Sequence, residues 1–139
     1  MSYGASAALQ AAVYQHLRAD EALADLVGDA IFDAMPVASP AGVYVTLGPE
    51  EVAEAGDATA PGARHDFVVS VLSGQDGGAG FAALKAAAAR VSDLLDQAQL
   101  ALDRGQLAGM WFLRAVARRV DNGAARQVDL TFRARVDLG

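Results

Sequence analysis

The sequence predicts an α+β domain: a mostly antiparallel or mixed β-sheet packed by an N-terminal helix and one long crossover helix, ending in a β-hairpin. Three observations carry that expectation. Apolar residues recur at helical spacing near the start of the chain and again after residue 80. β-Branched runs lie between those stretches, and residues 111–139 pair with themselves around one turn.

Residues 5–18 place Leu9, Ala12, Val13, His16 and Leu17 on one stripe, the pattern of an amphipathic helix. Asp20 is a candidate N-cap for a second, short helix, with Glu21 in its first turn and Gly28 just past its end. Ala30-Ile31-Phe32-Asp33 reads as a short strand stopped by Pro36. Ser39-Pro40-Ala41-Gly42 makes a turn into Val43-Tyr44-Val45-Thr46-Leu47, a β-branched strand. Residues 48–64 hold glycine, proline, alanine and four acids with no regular period, which predicts a long, mobile loop. Strand character returns at Asp66-Phe67-Val68-Val69-Ser70-Val71-Leu72. The glycines of Gly74 to Gly80 then lead into a long helix that faces the core with Phe81, Leu84, Ala88, Val91 and Leu95. Residues 99–102 add a short strand, which turns at Asp103-Arg104-Gly105 into the final hairpin.

Asn122-Gly123 is the favoured pair for the tight turn of that hairpin, because both central residues need positive φ. The register then sets Ala117 opposite Val128, Ala115 opposite Leu130, Leu113 opposite Phe132 and Trp111 opposite Ala134. Every pair is apolar and faces the core. The intervening positions turn Arg114, Arg118, Gln127, Asp129, Thr131, Arg133 and Arg135 outward, and a one-residue slip would scramble both faces.

The chain of 139 residues is long enough for a single domain, 1–139, that buries about 70% of its unfolded surface. It has no cysteine, which excludes disulfides, thiolate metal sites and cysteine nucleophiles, and which fits a reducing compartment. No stretch reaches the roughly 20 apolar residues that span a bilayer, and the N-terminus MSYGASAALQ lacks the features of a signal peptide. A cytoplasmic protein is expected. Charge is distributed unevenly. Residues 111–139 hold six arginines against three aspartates, while residues 1–110 hold five basic and fourteen acidic groups. The net of −6 disfavours wrapping nucleic acid, and the asymmetry points to assembly with other molecules.

Catalytic signals are weak. Gly78-Ala79-Gly80-Phe81-Ala82-Ala83 formally matches a dinucleotide fingerprint, but no parallel strand ending in an acid follows the helix. His16 belongs at the edge of the core. His65 lies beside Asp66 without a nucleophile nearby in sequence, and neither histidine has the partner spacing of a metal site. Glu50, Glu51, Glu54 and Asp57 form a loose acidic run without the fixed spacing of a calcium loop. The usual reading of such a run is a solvated face; an assembly surface or pore is the favoured one here, and for the arginine face a solvated outer face and an inter-subunit contact both stay open. No catalytic residue, cofactor or metal is expected.

One resemblance covers nearly the whole chain. Leu26-Val27-Gly28-Asp29-Ala30-Ile31-Phe32-Asp33 with Pro36, then Val43-Tyr44-Val45-Thr46-Leu47-Gly48, a further strand, a glycine-led helix and an Arg-rich terminal hairpin follow in order. This order resembles the tail terminator (tail completion) proteins of long-tailed phages and of phage-derived gene transfer agents. The resemblance implies a structural virion protein, not an enzyme. It implies a homohexameric ring that caps the head-proximal end of a tail tube, stops polymerisation and joins the tail to the neck or head. The implied partners are further copies, the major tail tube protein and a neck or head-tail connector protein. DNA would only pass through the lumen, and no membrane is involved. Assembly in the cytoplasm would end with the protein in the particle. The alternatives are a head-tail neck adaptor or a small nucleotide-binding or enzymatic domain. Within this reading Arg114, Arg118, Arg133 and Arg135 are expected at a subunit or ring interface, with Glu50, Glu51, Glu54 and Asp57 as acidic counterparts.

Overall fold

The computed structural model describes residues 3–38, 40–55, 61–73, 81–120 and 125–138. In chain order the elements are α1 (Ser6–Arg18), α2 (Glu21–Val27), β1 (Ile31–Phe32), β2 (Val43–Glu54), β3 (Gly62–Ser73), α3 (Phe81–Leu95), β4 (Gln106–Val120) and β5 (Ala125–Asp137). The strands form one mixed sheet in the order β1-β2-β3-β5-β4. Only β1–β2 is parallel; the other neighbours are antiparallel. The predicted α+β class and the terminal hairpin are both present.

Each helix buries the stripe its sequence marks. α1 buries Leu9, Val13 and Leu17, and the half-buried His16 sets its Nε2 3.0 Å from the Leu94 carbonyl. Asp20 caps α2 by accepting from the Leu23 amide at 2.8 Å, and Gly28 ends the helix at φ +64°, a conformation costly for a residue with a Cβ. α3 buries Leu84, Ala87, Ala88, Val91 and Leu95. All three helices share one core with one face of the sheet, to which Val45, Phe67, Val69, Val71, Val128, Leu130, Phe132, Ala134 and Val136 contribute. An aromatic row crosses that face: Phe67 and Phe132 stack at 5.7 Å, and Phe112 meets Phe132 edge-on at 5.9 Å. Burying the Phe67 and Phe132 rings stabilises by about 1.5–3 kcal/mol each, while Phe112 stays 37% exposed. Among the described residues, no helix is long and apolar enough to cross a membrane.

Three expectations are corrected. Residues 48–64 are not one long loop, since β2 runs on to Glu54 and β3 already starts at Gly62. The strand period was hidden by a bulge: Leu47 faces Val69 but Glu50 faces Phe67, so Gly48-Pro49 adds one residue to β2. Gly48 fits there because a Cβ would lie 3.2 Å from the Val68 carbonyl oxygen. Next, residues 99–102 form no strand, and β4 begins at Gln106.

The third correction concerns the hairpin register. Ala117 faces Val128 and Ala115 faces Leu130 as expected, but Phe112 takes the place opposite Phe132, and Met110 the place opposite Ala134. Bulges between Phe112 and Arg114 and between Leu107 and Gly109 each add a residue to β4. Beyond the first bulge the alternation flips. Met110 is therefore buried, whereas Trp111 lies 45% exposed against Gly109. The turn at Asn122-Gly123 lies outside the described residues, as do Ser39 and the glycines from Gly74 to Gly80.

Candidate assembly surface

The register places Arg114, Arg118, Arg133 and Arg135 on the outer face of the sheet, opposite the helices, because they pair with or belong to the odd-numbered series from Gln127 to Arg135. Each meets a different environment. Arg133 forms a two-pronged bond to Asp66 across β3–β5, at 2.8 and 3.1 Å. That bond, opposed by partial burial, keeps the Asp66 carboxyl below the usual range. Arg118 reaches Asp129 at 3.2 Å, and Arg135 lies 3.5 Å from Asp137. Burial pushes the Asp129 carboxyl up, but bonds from Gln127, Ser70 and Arg118 outweigh it and leave the group lowered. Arg114 forms no ion pair among the described residues, and neither does Arg119.

β4 is the edge strand of the sheet and changes character along its length. Near its start the chain after α3 covers it: the Gln97 amide donates to the Met110 carbonyl at 2.8 Å, and Asp96 Oδ1 accepts from the Phe112 amide at 2.9 Å. From Leu113 to Arg119 every residue is exposed, whichever face it points to. Leu113 is 37% exposed and Val116 50%. The open stretch carries Arg114, Arg118 and Arg119 and no acid.

The acidic candidates divide. Glu50 is turned inward: Ser6 Oγ donates to its Oε1 at 2.5 Å, and its Oε2 lies 3.2 Å from Nδ1 of the fully buried His65. Two acceptors would repel at that distance, so Nδ1 carries the proton and donates. His65 Nε2 is buried with no partner among the described residues. Burial pushes the Glu50 carboxyl up, yet the bonds from His65 and Ser6 prevail and hold it below its ordinary value. Glu51 and Glu54 are exposed along β2. Asp57 lies outside the described residues.

Among the described residues, no reaction centre comes together around His65 and Ser70. His65 is sealed in the core, and the Ser70 hydroxyl donates to Asp129 at 2.7 Å instead of facing a base. The formal dinucleotide fingerprint begins at Gly78 and Gly80, outside the described residues. Sequence reasoning missed Ser6, Asp66 and Asp129 as partners. The cross-strand register was the one signal that could have found the two aspartates, since Asp66 faces Arg133 directly.

A search of curated proteins finds no match. Among solved structures, one chain of a structure titled "Virion of native gene transfer agent (GTA) particle" is 58% identical. The alignment covers 98% of this chain and 99% of that one, with a TM-score of 0.88. Residues 11–137 match the family described as Tail completion protein gp17. The chain thus belongs to the tail completion protein gp17 family, whose members are structural virion proteins and not enzymes.

Proposed function

We propose that this protein forms a hexameric ring on the head-proximal end of a tail tube, ends tube polymerisation there and joins the tail to the neck. The observation that carries this reading is the end-to-end likeness to a chain of a gene transfer agent virion. A ring is a head-to-tail association that closes on itself, so each copy needs two different, complementary surfaces. The uneven charge of the chain supplies such surfaces. Partners in this reading are further copies, the major tail tube protein and a neck or connector protein. DNA passes through the lumen without specific contact. The subunit assembles in the cytoplasm and ends in the particle.

Arg114, Arg118, Arg133 and Arg135, with Glu50, Glu51, Glu54 and Asp57, are the proposed contact residues. Arg114 leads among them because, among the described residues, no carboxylate forms an ion pair with it. Arg118 and Arg133 would share Asp129 and Asp66 with a neighbour, and Glu50 would act by shaping β2. Removing the protein from a particle-assembling system tests the function. Electron microscopy should show tails of uncontrolled length detached from heads. Tails of normal length that merely lack heads would favour the neck-adaptor reading, and normal particles would reject both.

A further inference from the structure

Sheet edges are a hazard, because an unpaired row of amides and carbonyls recruits other strands. This sheet has two such edges, and their charges are opposite. On one side, among the described residues, the edge of β4 is covered only where Asp96 and Gln97 meet Met110 and Phe112. The stretch beyond is exposed on both faces, carries Leu113 and Val116, and is basic through Arg114, Arg118 and Arg119. On the other side β1 is only two residues long and pairs with Val45 and Thr46. Beyond that point the outer edge of β2 has no strand partner among the described residues. Residues 47–54 carry no base; Glu51 and Glu54 lie exposed there, while the Glu50 carboxylate is turned towards Ser6 and His65.

We propose that the basic open stretch of β4 in one copy docks along the acidic outer edge of β2 in the next, so that the sheets continue from subunit to subunit. This inference rests on the ring reading and names its interface. Opposite charges dictate the geometry. Two β4 edges brought together would oppose arginine to arginine, and two β2 edges glutamate to glutamate; both arrangements are disfavoured. Only unlike edges match, which suppresses a two-fold dimer and leaves the head-to-tail contact a ring requires. Leu113 and Val116 supply apolar area at the same seam. Inside each subunit, Asp66 and Asp129 keep Arg133 and Arg118 oriented beside it.

A charge exchange tests this. One variant, Arg114→Glu/Arg119→Glu, has two acidic edges; the other, Glu51→Arg/Glu54→Arg, has two basic edges. Each alone should need on the order of tenfold more protein to assemble than the parent, as read by light scattering and negative-stain microscopy. Their equimolar mixture should recover assembly as alternating rings. Melting curves check that each variant stays folded. The parent itself gives a measurement independent of any variant: its assembly should weaken when salt rises from about 0.05 to 0.5 M, as exposed charges are screened. Variants that each form rings like the parent would overturn the interface and leave the ring reading standing. So would a mixture of folded variants that stays dispersed, or parent rings indifferent to salt. A parent that forms no ring, alone or on tail tubes, would overturn both.

Discussion

The two halves of β4 share a strand, a partner and a sheet, yet they differ in kind. From Gln106 to Phe112 the strand is tied into the body: Met110 is buried and the edge is occupied by Asp96 and Gln97. From Leu113 to Arg119 no described residue covers the edge and every residue is exposed, although the facing residues Val128 and Leu130 of β5 remain in the core. The bulge between Phe112 and Arg114 is the boundary. The contrast teaches that folding and assembly draw on different stretches of one element. Substitutions in the first half should unfold the subunit, and those in the second should spare it.

The largest effect that would sharpen this contrast is expected at Phe132. It faces Phe112 at the last position before the bulge and stacks on Phe67. Phe132→Ala should cost about 3–5 kcal/mol, by lost transfer energy and the cavity left behind. Urea unfolding reads it directly. A loss under 1 kcal/mol would mean that the covered half does not anchor the hairpin.

Next comes the partly buried pair of Glu50 and His65 near the start of α1. Glu50→Ala leaves the His65 Nδ1–H and the Ser6 hydroxyl without their acceptor, at about 1–3 kcal/mol. Its pH dependence has a definite sign. The folded carboxyl lies below its unfolded value, so its stabilisation is present above that unfolded value and fades as pH falls through the lowered one. Parent and variant should therefore converge in acid when their stabilities are compared across pH. A constant gap would show that Glu50 acts through packing and not through charge.

A smaller loss is expected at the start of α2. Asp20 caps the helix and also takes a two-pronged bond from Arg90 at 2.8 and 2.7 Å, which holds its carboxyl at about 2. Asp20→Ala should cost about 1 kcal/mol for the cap. The contribution is complete above the unfolded value of 3.8 and disappears as pH falls towards about 2. Thermal melts at neutral and acid pH measure both parts.

How far these features could be read in advance follows the regularity of the local signal. α1, α2 and α3 announce themselves through spacing and capping, because Leu9, Val13 and Leu17 or Leu84, Val91 and Leu95 repeat without interruption. The hairpin register was legible back to Arg114 and failed at the first bulge, since an inserted residue reverses the pleat without altering composition. Gly48-Pro49 hid the rest of β2 in the same way. The arginine face was legible as a face, but its partners were not. Asp66 and Asp129 come from the cross-strand register and from a neighbouring strand that no local pattern identifies. Glu50 looked like one acid in a run of four, and only the packing of α1 against β2 turns it towards Ser6 and His65.

The smallest change in stability should come with the clearest loss of assembly. Leu113→Ser/Val116→Ser replaces two apolar side chains that are 37% and 50% exposed in the subunit. The transfer energy at stake in the monomer is small, and exposed substitutions generally shift stability by within about 0.5 kcal/mol. At a subunit seam the same side chains would be buried, and each methylene removed would cost about 0.8 kcal/mol. Unfolding midpoints should therefore stay near the parent's while the concentration needed for assembly rises. A variant that unfolds more easily but assembles normally would break the comparison, because the distal half of β4 would then serve the fold.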